Sequence, residues 1–182
     1  MIRIHCIRIM RATIRWIVDH RWICDRVVSW VAMGARNGII DVVGAAIVND
    51  GRILCAQRGE GRTLAGYWEF PGGKIEPHET ARQALRREIG EELRCEVAVG
   101  RRLCTSEYDY DFGTVRLTTF VCRLTSGTPH RTEHAAFRWM PPAEISTLEW
   151  APVDHDAVAM LAALDADGLA AALDDPIAEE TR

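Results

Sequence analysis

The pattern of apolar and polar positions becomes regular near residue 39 and predicts a series of strands. Residues 39–48 are apolar and β-branched, and a second apolar run at 53–58 follows the turn residues 49–52, which is typical of a hairpin. Further strands are predicted at residues 67–70, 95–99, 102–110, 115–124 and 137–140. A sheet is therefore the main expected element.

Helices are predicted on both sides of these strands. One apolar stripe runs along residues 80–93 at four-residue steps: Leu85, Ile89 and Leu93. Glu79 or Thr80 suits the cap of this helix. A second helix is predicted at 154–164, and a short one opens at the prolines of 141–144. This order predicts an α/β (α+β) fold with a mixed β-sheet between helices.

Composition narrows the class of protein. The 182 residues are 48% hydrophobic and 26% charged, which suits one globular domain and is too apolar for a disordered chain. The net charge of −4 argues against gripping a nucleic acid polymer. No apolar run is long enough for a membrane span. The six cysteines form no C-x-x-C pair, as expected of a reduced, cytoplasmic protein; monomer and homodimer both remain possible.

Three segments are expected along the chain. Residues 1–36 are interpreted as a non-core N-terminal extension, because the first 32 contain six arginines and no glycine, proline or glutamate. A transit peptide and a membrane-surface helix are alternatives, as is an over-extended start site with Met33 as the natural first residue. Residues 37–165 form the predicted domain, and 166–182 an acidic C-terminal tail.

Three glutamates of the first predicted helix carry the candidate chemistry. Glu88, Glu91 and Glu92 stand at i, i+3 and i+4, so their carboxylates share one face and repel one another. A solvated face is the plain interpretation. However, the helix follows a Pro-Gly-Gly loop at 71–73, and the only lysine, Lys74, lies directly behind it. Clustered oxygen ligands beside such a loop favour a hard cation such as Mg²⁺ near phosphate.

These residues resemble the box of the Nudix hydrolases. The match consists of Gly73, Glu79, Arg87, Glu88, Ile89, Glu91 and Glu92 at the family spacing. One position departs from it, because Arg94 stands where the family has a glycine that ends the helix. Residues 68–76 are similar to the MutT-type branch, and within it to bacterial CTP and methylated-dCTP pyrophosphohydrolases. The resemblance implies a Nudix-like α/β/α sandwich.

The resemblance also implies a set of site residues. The expected ligands of Mg²⁺, or of Mn²⁺ in its place, are Gly72, Glu88, Glu91, Glu92 and Glu133. Glu88 or Glu133 is expected to take the proton from water, and Arg87 to orient a neighbouring acid. Phosphates are expected at Lys74 and Arg58, and the base at Asp154, Trp68 and Tyr108. A solvated loop is the alternative for Arg58, a helix cap for Asp154, and simple packing for each aromatic residue.

The implied activity is hydrolysis of a nucleoside triphosphate to a nucleoside monophosphate and pyrophosphate, with 8-oxo-dGTP as the first candidate in sanitising the nucleotide pool for DNA repair. CTP, dCTP and 5-methyl-dCTP are close alternatives, and a nucleotide sugar such as ADP-ribose is another. A non-catalytic nucleotide-sensing module is a different class, against which the complete carboxylate cluster argues. The expected partner is a nucleotide, with no nucleic acid polymer and no membrane.

Overall fold

The computed structural model describes residues 38–174. The strands are β1 (Ile40–Asn49), β2 (Arg52–Arg58), β3 (Trp68–Glu69), β4 (Gly72–Lys74), β5 (Glu96–Tyr110), β6 (Gly113–Ser126) and β7 (His134–Met140). The helices are α1 (Ala81–Leu93), α2 (His155–Ala162) and α3 (Ala166–Asp174), with two 3₁₀ turns at Pro142–Thr147 and Pro152–Asp154. The expected extension at 1–36 lies outside the described residues.

All seven strands join one mixed sheet with β1 near its centre. The main path runs β3-β2-β1-β6-β5, with β4 paired to β1 and β7 paired to β2. The β1–β6 pair is parallel, whereas the other pairs are antiparallel. The predicted mixed sheet is confirmed.

Helices cover both faces of this sheet because β1 is apolar on both sides. Ala45 and Ile47 point into a cluster with the apolar stripe of α1. Ala46 and Val48 point into the opposite cluster, which contains residues of α2 and α3. Successive side chains of a strand face opposite ways, so one apolar strand supports both layers. The three-layer sandwich implied by the sequence is therefore confirmed.

Local signals define both ends of α1. Thr80 is the N-cap, and it forms a capping box in which its hydroxyl accepts from the Gln83 N–H and the Gln83 side chain accepts from the Thr80 N–H. Arg94 ends the helix with φ 53° and ψ 37°. The arginine thus adopts the left-handed conformation for which the family uses glycine, and the end of the helix is preserved at a small conformational cost.

Two parts of the sheet differ from expectation. β4 occupies residues that are expected from the sequence to form a loop, and it pairs with residues 42–44 of β1. Two of its three residues are glycines, so this strand has no apolar side-chain pattern from which it could be predicted. The strands expected at 95–99 and 102–110 are one strand, β5, whose register against β6 shifts between Val99 and Cys104. The bulge hides the continuity of the strand from a period-two pattern.

The C-terminal boundary also differs from the expected one. Residues 166–174, assigned to an acidic tail, form α3, and two of its side chains, Leu169 and Ala172, are buried in the core cluster under the sheet. The alanine-rich sequence between aspartates is typical of a frayed end. Packing of these two side chains against the core instead stabilises the segment as a helix. Among the described residues, no helix has the length and apolarity needed to span a bilayer.

Replacing Leu169 by alanine tests whether α3 belongs to the domain. Leu169 is 2% exposed, so its truncation should lower the free energy of unfolding by about 2–4 kcal/mol. Urea denaturation measures this change. Met160→Ala on α2 is the control, since Met160 is 45% exposed and should change stability by about 0.5 kcal/mol or less. Equal, small effects of both variants would place residues 166–174 outside the cooperative unit.

Candidate active site

The carboxylates of α1 lie on a face that is buried against β4. Glu88 and Glu92 are 4% and 8% exposed, whereas the Glu91 side chain is 46% exposed at the edge. A Cβ placed on Gly73 would come within 2.4 Å of the Glu88 carboxyl carbon. Only glycine lets the strand approach so closely, so the Pro-Gly-Gly sequence is what seats the acid.

Arg87 fixes this arrangement from the side. Its guanidinium donates to both carboxylate oxygens of Glu79 at 2.7 and 2.9 Å, to Glu88 Oε1 at 2.8 Å and to the Lys74 carbonyl at 3.0 Å. These bonds hold the pKa of Glu79 near 2 and raise that of Arg87. Arg87 therefore links β4, the turn before α1 and the helix itself, which is the orienting role expected of it.

Glu92 lies in an environment that disfavours its charged form. Its pKa is raised to about 7, mainly by burial; the charge of His134 lowers it, those of Glu88 and Glu69 raise it, and that of Arg62 lowers it. A carboxylate in this state gains more from a cation than one in water does, because burial has already removed its solvent.

Glu133 reaches the site from the start of β7. Its carboxylate pairs with Arg62 of the loop between β2 and β3, and the two side chains are 36% and 38% exposed. The preceding residue, Thr132, donates its hydroxyl to the Glu92 carbonyl, which ties the β7 approach to the end of α1. The Thr132 bond thus holds the approach to β7 against the end of α1, and the neighbouring Glu133 side chain is engaged in an ion pair.

Glu69 of β3 is a site residue that sequence reasoning missed. Its carboxylate pairs with Arg58, and His134 Nε2 lies 3.3 Å from its Oε1. It acts electrostatically on both Glu92 and Asp154, so it lies between the α1 cluster and the expected base site. Its place in the Trp-Glu-Phe-Pro-Gly-Gly run was a usable signal, as was the His134 that follows Glu133 directly. Arg58 is expected from the sequence to bind phosphate. In the structure its Nη1 donates to the Glu69 carboxylate and its Nε donates to the Thr63 carbonyl.

Asp154 is a buried acid, not a capping side chain. It precedes α2 without a side-chain cap bond, and its Oδ1 accepts from the Phe70 N–H at 3.3 Å. Burial raises its pKa well above the usual value, and the charge of Glu69 adds to the effect. The helix-cap alternative is therefore wrong for its side chain, and burial favours the neutral form of this carboxyl group.

An aromatic ladder extends from this carboxyl group along the β5–β6 hairpin. The ring centroids of Tyr108 and Tyr110 are 4.6 Å apart. The rings of Tyr110 and Phe112 are nearly parallel, with their centroids 5.0 Å apart. The Tyr110 hydroxyl accepts from the Val153 N–H at 3.3 Å, next to Asp154. Trp68 is placed differently: it is a 5% exposed core residue beneath the Arg138 guanidinium, so packing, and not base stacking, explains it.

The donor set fits a hard divalent cation. Its side chains offer carboxylate oxygens, which Mg²⁺ and Mn²⁺ prefer, and the Gly73 backbone lies directly against the Glu88 carboxylate. In the part of the chain that the structure describes, no three His, Cys, Asp or Glu side chains converge as a ready-made metal site. Arg87 and Arg62 instead hold Glu88 and Glu133, so these arginines neutralise acids that a cation would otherwise neutralise.

The sequence of this domain matches a known protein family. A family model of the NUDIX domain matches residues 39–161, which contain the sheet, α1 and Asp154. The chain belongs to the Nudix hydrolase family. The Nudix fold and the hydrolase class expected from the box around α1 are thereby confirmed.

Relatives and solved structures agree with this assignment. The chain is 40% identical over 116 residues to CTP pyrophosphohydrolase of Escherichia coli, covering 64% of this chain and 86% of that protein. It is 41% identical over 124 residues to putative 8-oxo-dGTP diphosphatase 2 of Mycobacterium tuberculosis, covering 66% and 86%. The solution structure of the DNA mismatch repair protein MutT from methicillin-resistant Staphylococcus aureus has 48% identity and a TM-score of 0.60, covering 70% and 98%.

The raised pKa of Glu92 predicts a pH dependence of stability. Folded Glu92 keeps its proton up to about pH 7, whereas the unfolded chain loses it near 4.5. The folded state binds more protons between these values, so without metal the free energy of unfolding falls as the pH rises through this window. Between pH 5 and pH 8, the free energy of unfolding of the Glu92→Gln variant should fall by about 1–3 kcal/mol less than that of the wild type.

Urea denaturation in EDTA at both pH values measures this difference. Glu96→Gln is the control, because Glu96 is exposed at the start of β5 and should follow the wild-type slope. Parallel pH slopes for wild type and Glu92→Gln would contradict the raised pKa.

Proposed function

We propose that this chain is a Mg²⁺-dependent nucleoside triphosphate pyrophosphohydrolase, and that Mn²⁺ can replace Mg²⁺. Water and the triphosphate would give a nucleoside monophosphate and pyrophosphate, with 8-oxo-dGTP as the first substrate and a cytoplasmic role in keeping damaged nucleotides out of DNA. The observation that carries this proposal is the pair of buried carboxylates on one helix face, Glu88 and Glu92, of which Glu88 lies against the Gly73 backbone and accepts from Arg87.

Different residues of the site would bind the metal and the phosphates. Gly72, Glu88, Glu91, Glu92 and Glu133 would hold the cation. When bound, it would neutralise phosphate charge and lower the pKa of a coordinated water. Lys74 follows the two glycines in β4. Its positive charge would therefore lie beside the carboxylate cluster and would bind phosphate there.

Proton removal from the attacking water falls to an acid of the same cluster. Glu88 and Glu133 are both candidates, as the sequence suggests. Arg87 would hold the Glu88 carboxylate in position, because its Nη1 donates to Glu88 Oε1. Glu133 is paired with Arg62, so it becomes available only when that pair opens.

The base would be read by a neutral Asp154. Because Phe70 N–H donates to Oδ1, the carboxyl proton belongs on Oδ2, and the group then offers a donor and an acceptor side by side. A guanine edge and a cytosine edge each present a complementary donor and acceptor pair. Tyr108 and Tyr110 supply the exposed aromatic surface beside it, on which a base can stack.

A second substrate class has specific support. The identity to an E. coli protein named CTP pyrophosphohydrolase favours CTP, dCTP and 5-methyl-dCTP as alternatives with the same chemistry. Steady-state kinetics with 8-oxo-dGTP, dGTP, dCTP, 5-methyl-dCTP and ADP-ribose separate the classes. Turnover of ADP-ribose alone would overturn the triphosphate proposal, and binding without turnover of any member would favour a sensing module.

Neutral variants of the two buried glutamates test the metal site. Glu88→Gln and Glu92→Gln should each lower kcat by about 100-fold or more, since charge stabilisation in the transition state is lost, while circular dichroism reports an intact fold. Glu96→Gln should retain wild-type kcat, because Glu96 lies on exposed β5. Wild-type kcat in both site variants would refute the assignment.

Two substitutions of Asp154 test base recognition. Asp154→Asn keeps one donor and one acceptor, so it should retain the preference among nucleotides. Asp154→Ala removes both and should reduce the ratio of kcat/KM between the best and the poorest triphosphate by about 10- to 100-fold. An equal loss for every nucleotide in Asp154→Ala would mean that the buried acid is structural.

A further inference from the structure

Arg62 is an arginine whose charge acts on acids of the candidate site. It lies in the loop of residues 59–67 and forms an ion pair with Glu133. Its charge also acts on the buried Glu92, lowering the pKa of that acid. Arg62 therefore stands within electrostatic reach of two residues proposed to hold the metal, although it comes from a different part of the chain.

The loop that carries Arg62 is anchored at its stem. Arg58 N–H donates to the Tyr67 carbonyl at 2.9 Å, and Gly66 N–H donates back to the Arg58 carbonyl at 3.0 Å. Gln57 Nε2 donates to the Gly66 carbonyl at 2.8 Å. Next to the stem, a Cβ on Gly59 would lie 2.7 Å from the Glu133 carbonyl oxygen. The stem is thus held against the backbone of Glu133, which places Arg62 beside the cluster.

The bond between Arg62 and Glu133 is suited to exchange. Both side chains are more than one third exposed, and exposed ion pairs contribute little net stability. Arg87 and Arg58 are placed differently, because each donates to carboxylate and backbone partners from a position about one fifth exposed. Arg62 is accordingly the arginine whose partner can change at small cost.

We infer that Arg62 is a phosphate-binding residue that the loop delivers to the substrate, and that Glu133 is its partner only until a divalent cation binds. This inference rests on the proposed function. A cation held by Glu133 takes over the neutralisation of that carboxylate, and the released guanidinium faces the incoming polyphosphate, whose oxygens match its planar donors. The ligand class is a polyphosphate, independent of the base attached to it.

Calorimetry on the full chain tests this exchange with two probes. Mn²⁺ alone is titrated into nucleotide-free protein, and inorganic triphosphate is titrated into protein saturated with Mn²⁺. Arg62→Gln should bind Mn²⁺ as tightly as wild type or up to about fivefold more tightly, because a competing cation is gone. The same variant should bind triphosphate about 10- to 100-fold more weakly.

Two further variants complete the design. Arg62→Lys keeps the charge without the planar fork, so its triphosphate affinity should lie between those of wild type and Arg62→Gln. Arg52→Gln is the matched control: Arg52 is exposed at the opposite end of β2, and its removal should change neither affinity.

The two titrations together decide the matter. The inference is overturned if Arg62→Gln weakens Mn²⁺ binding, since Arg62 then only holds Glu133 in place, or if it leaves triphosphate affinity unchanged. Wild-type protein that binds triphosphate but hydrolyses no nucleoside triphosphate contradicts the proposed function and leaves the role of Arg62 intact. Wild-type protein that binds no triphosphate contradicts the inference itself.

Discussion

Burial of two like-charged carboxylates on one helix face, with Glu88 packed against the Gly73 backbone and Glu92 one turn away, is the constraint on which the rest of the site depends. Like charges one helical turn apart repel, and burial removes the water that would screen them. The chain lowers this penalty with arginine: Arg87 bonds to Glu88, and Arg62 pairs with Glu133 beside Glu92. Burial raises the pKa of Glu92, which indicates that the compensation is incomplete. A divalent cation bound as proposed would complete it and would turn this cost in the free protein into binding energy.

The fold positions this cluster and the base site from one sheet. β4 leads from Phe70, whose N–H bonds to Asp154, directly to Gly73 beneath Glu88. Glu69 acts on Glu92 and on Asp154 alike. In the proposed binding mode, a nucleotide with its phosphates at α1 would have its base towards the Tyr110 end of the β5–β6 hairpin, so one short stretch of chain would set both ends of the substrate.

Much of this arrangement is predictable from sequence, for physical reasons. The apolar stripe of α1 and the hairpin of β1 and β2 are encoded by local periodicity, and the spacing of the three glutamates puts them on one helix face whatever the tertiary context. β4 and the continuity of β5 are not predictable this way, because glycine pairing and a bulged register leave no regular apolar pattern. The sequence run around Glu69 can mark it as a candidate, but the ion pairs of Glu69 and Glu133 are set by the tertiary fold, so the pattern does not record their partners. Burial of Trp68 and Asp154 likewise depends on long-range packing.

Metal binding at the α1 cluster should compete with a proton on Glu92, because burial raises the pKa of this acid to about 7. Calorimetric titration of Mn²⁺ at pH 6.5 in two buffers of different ionisation enthalpy counts the protons released on binding. We expect a fraction of one proton to be released per protein at this pH, and we expect this release to vanish in the Glu92→Gln variant. Absence of Mn²⁺ binding in the wild-type protein, or binding with no proton released, would contradict this expectation.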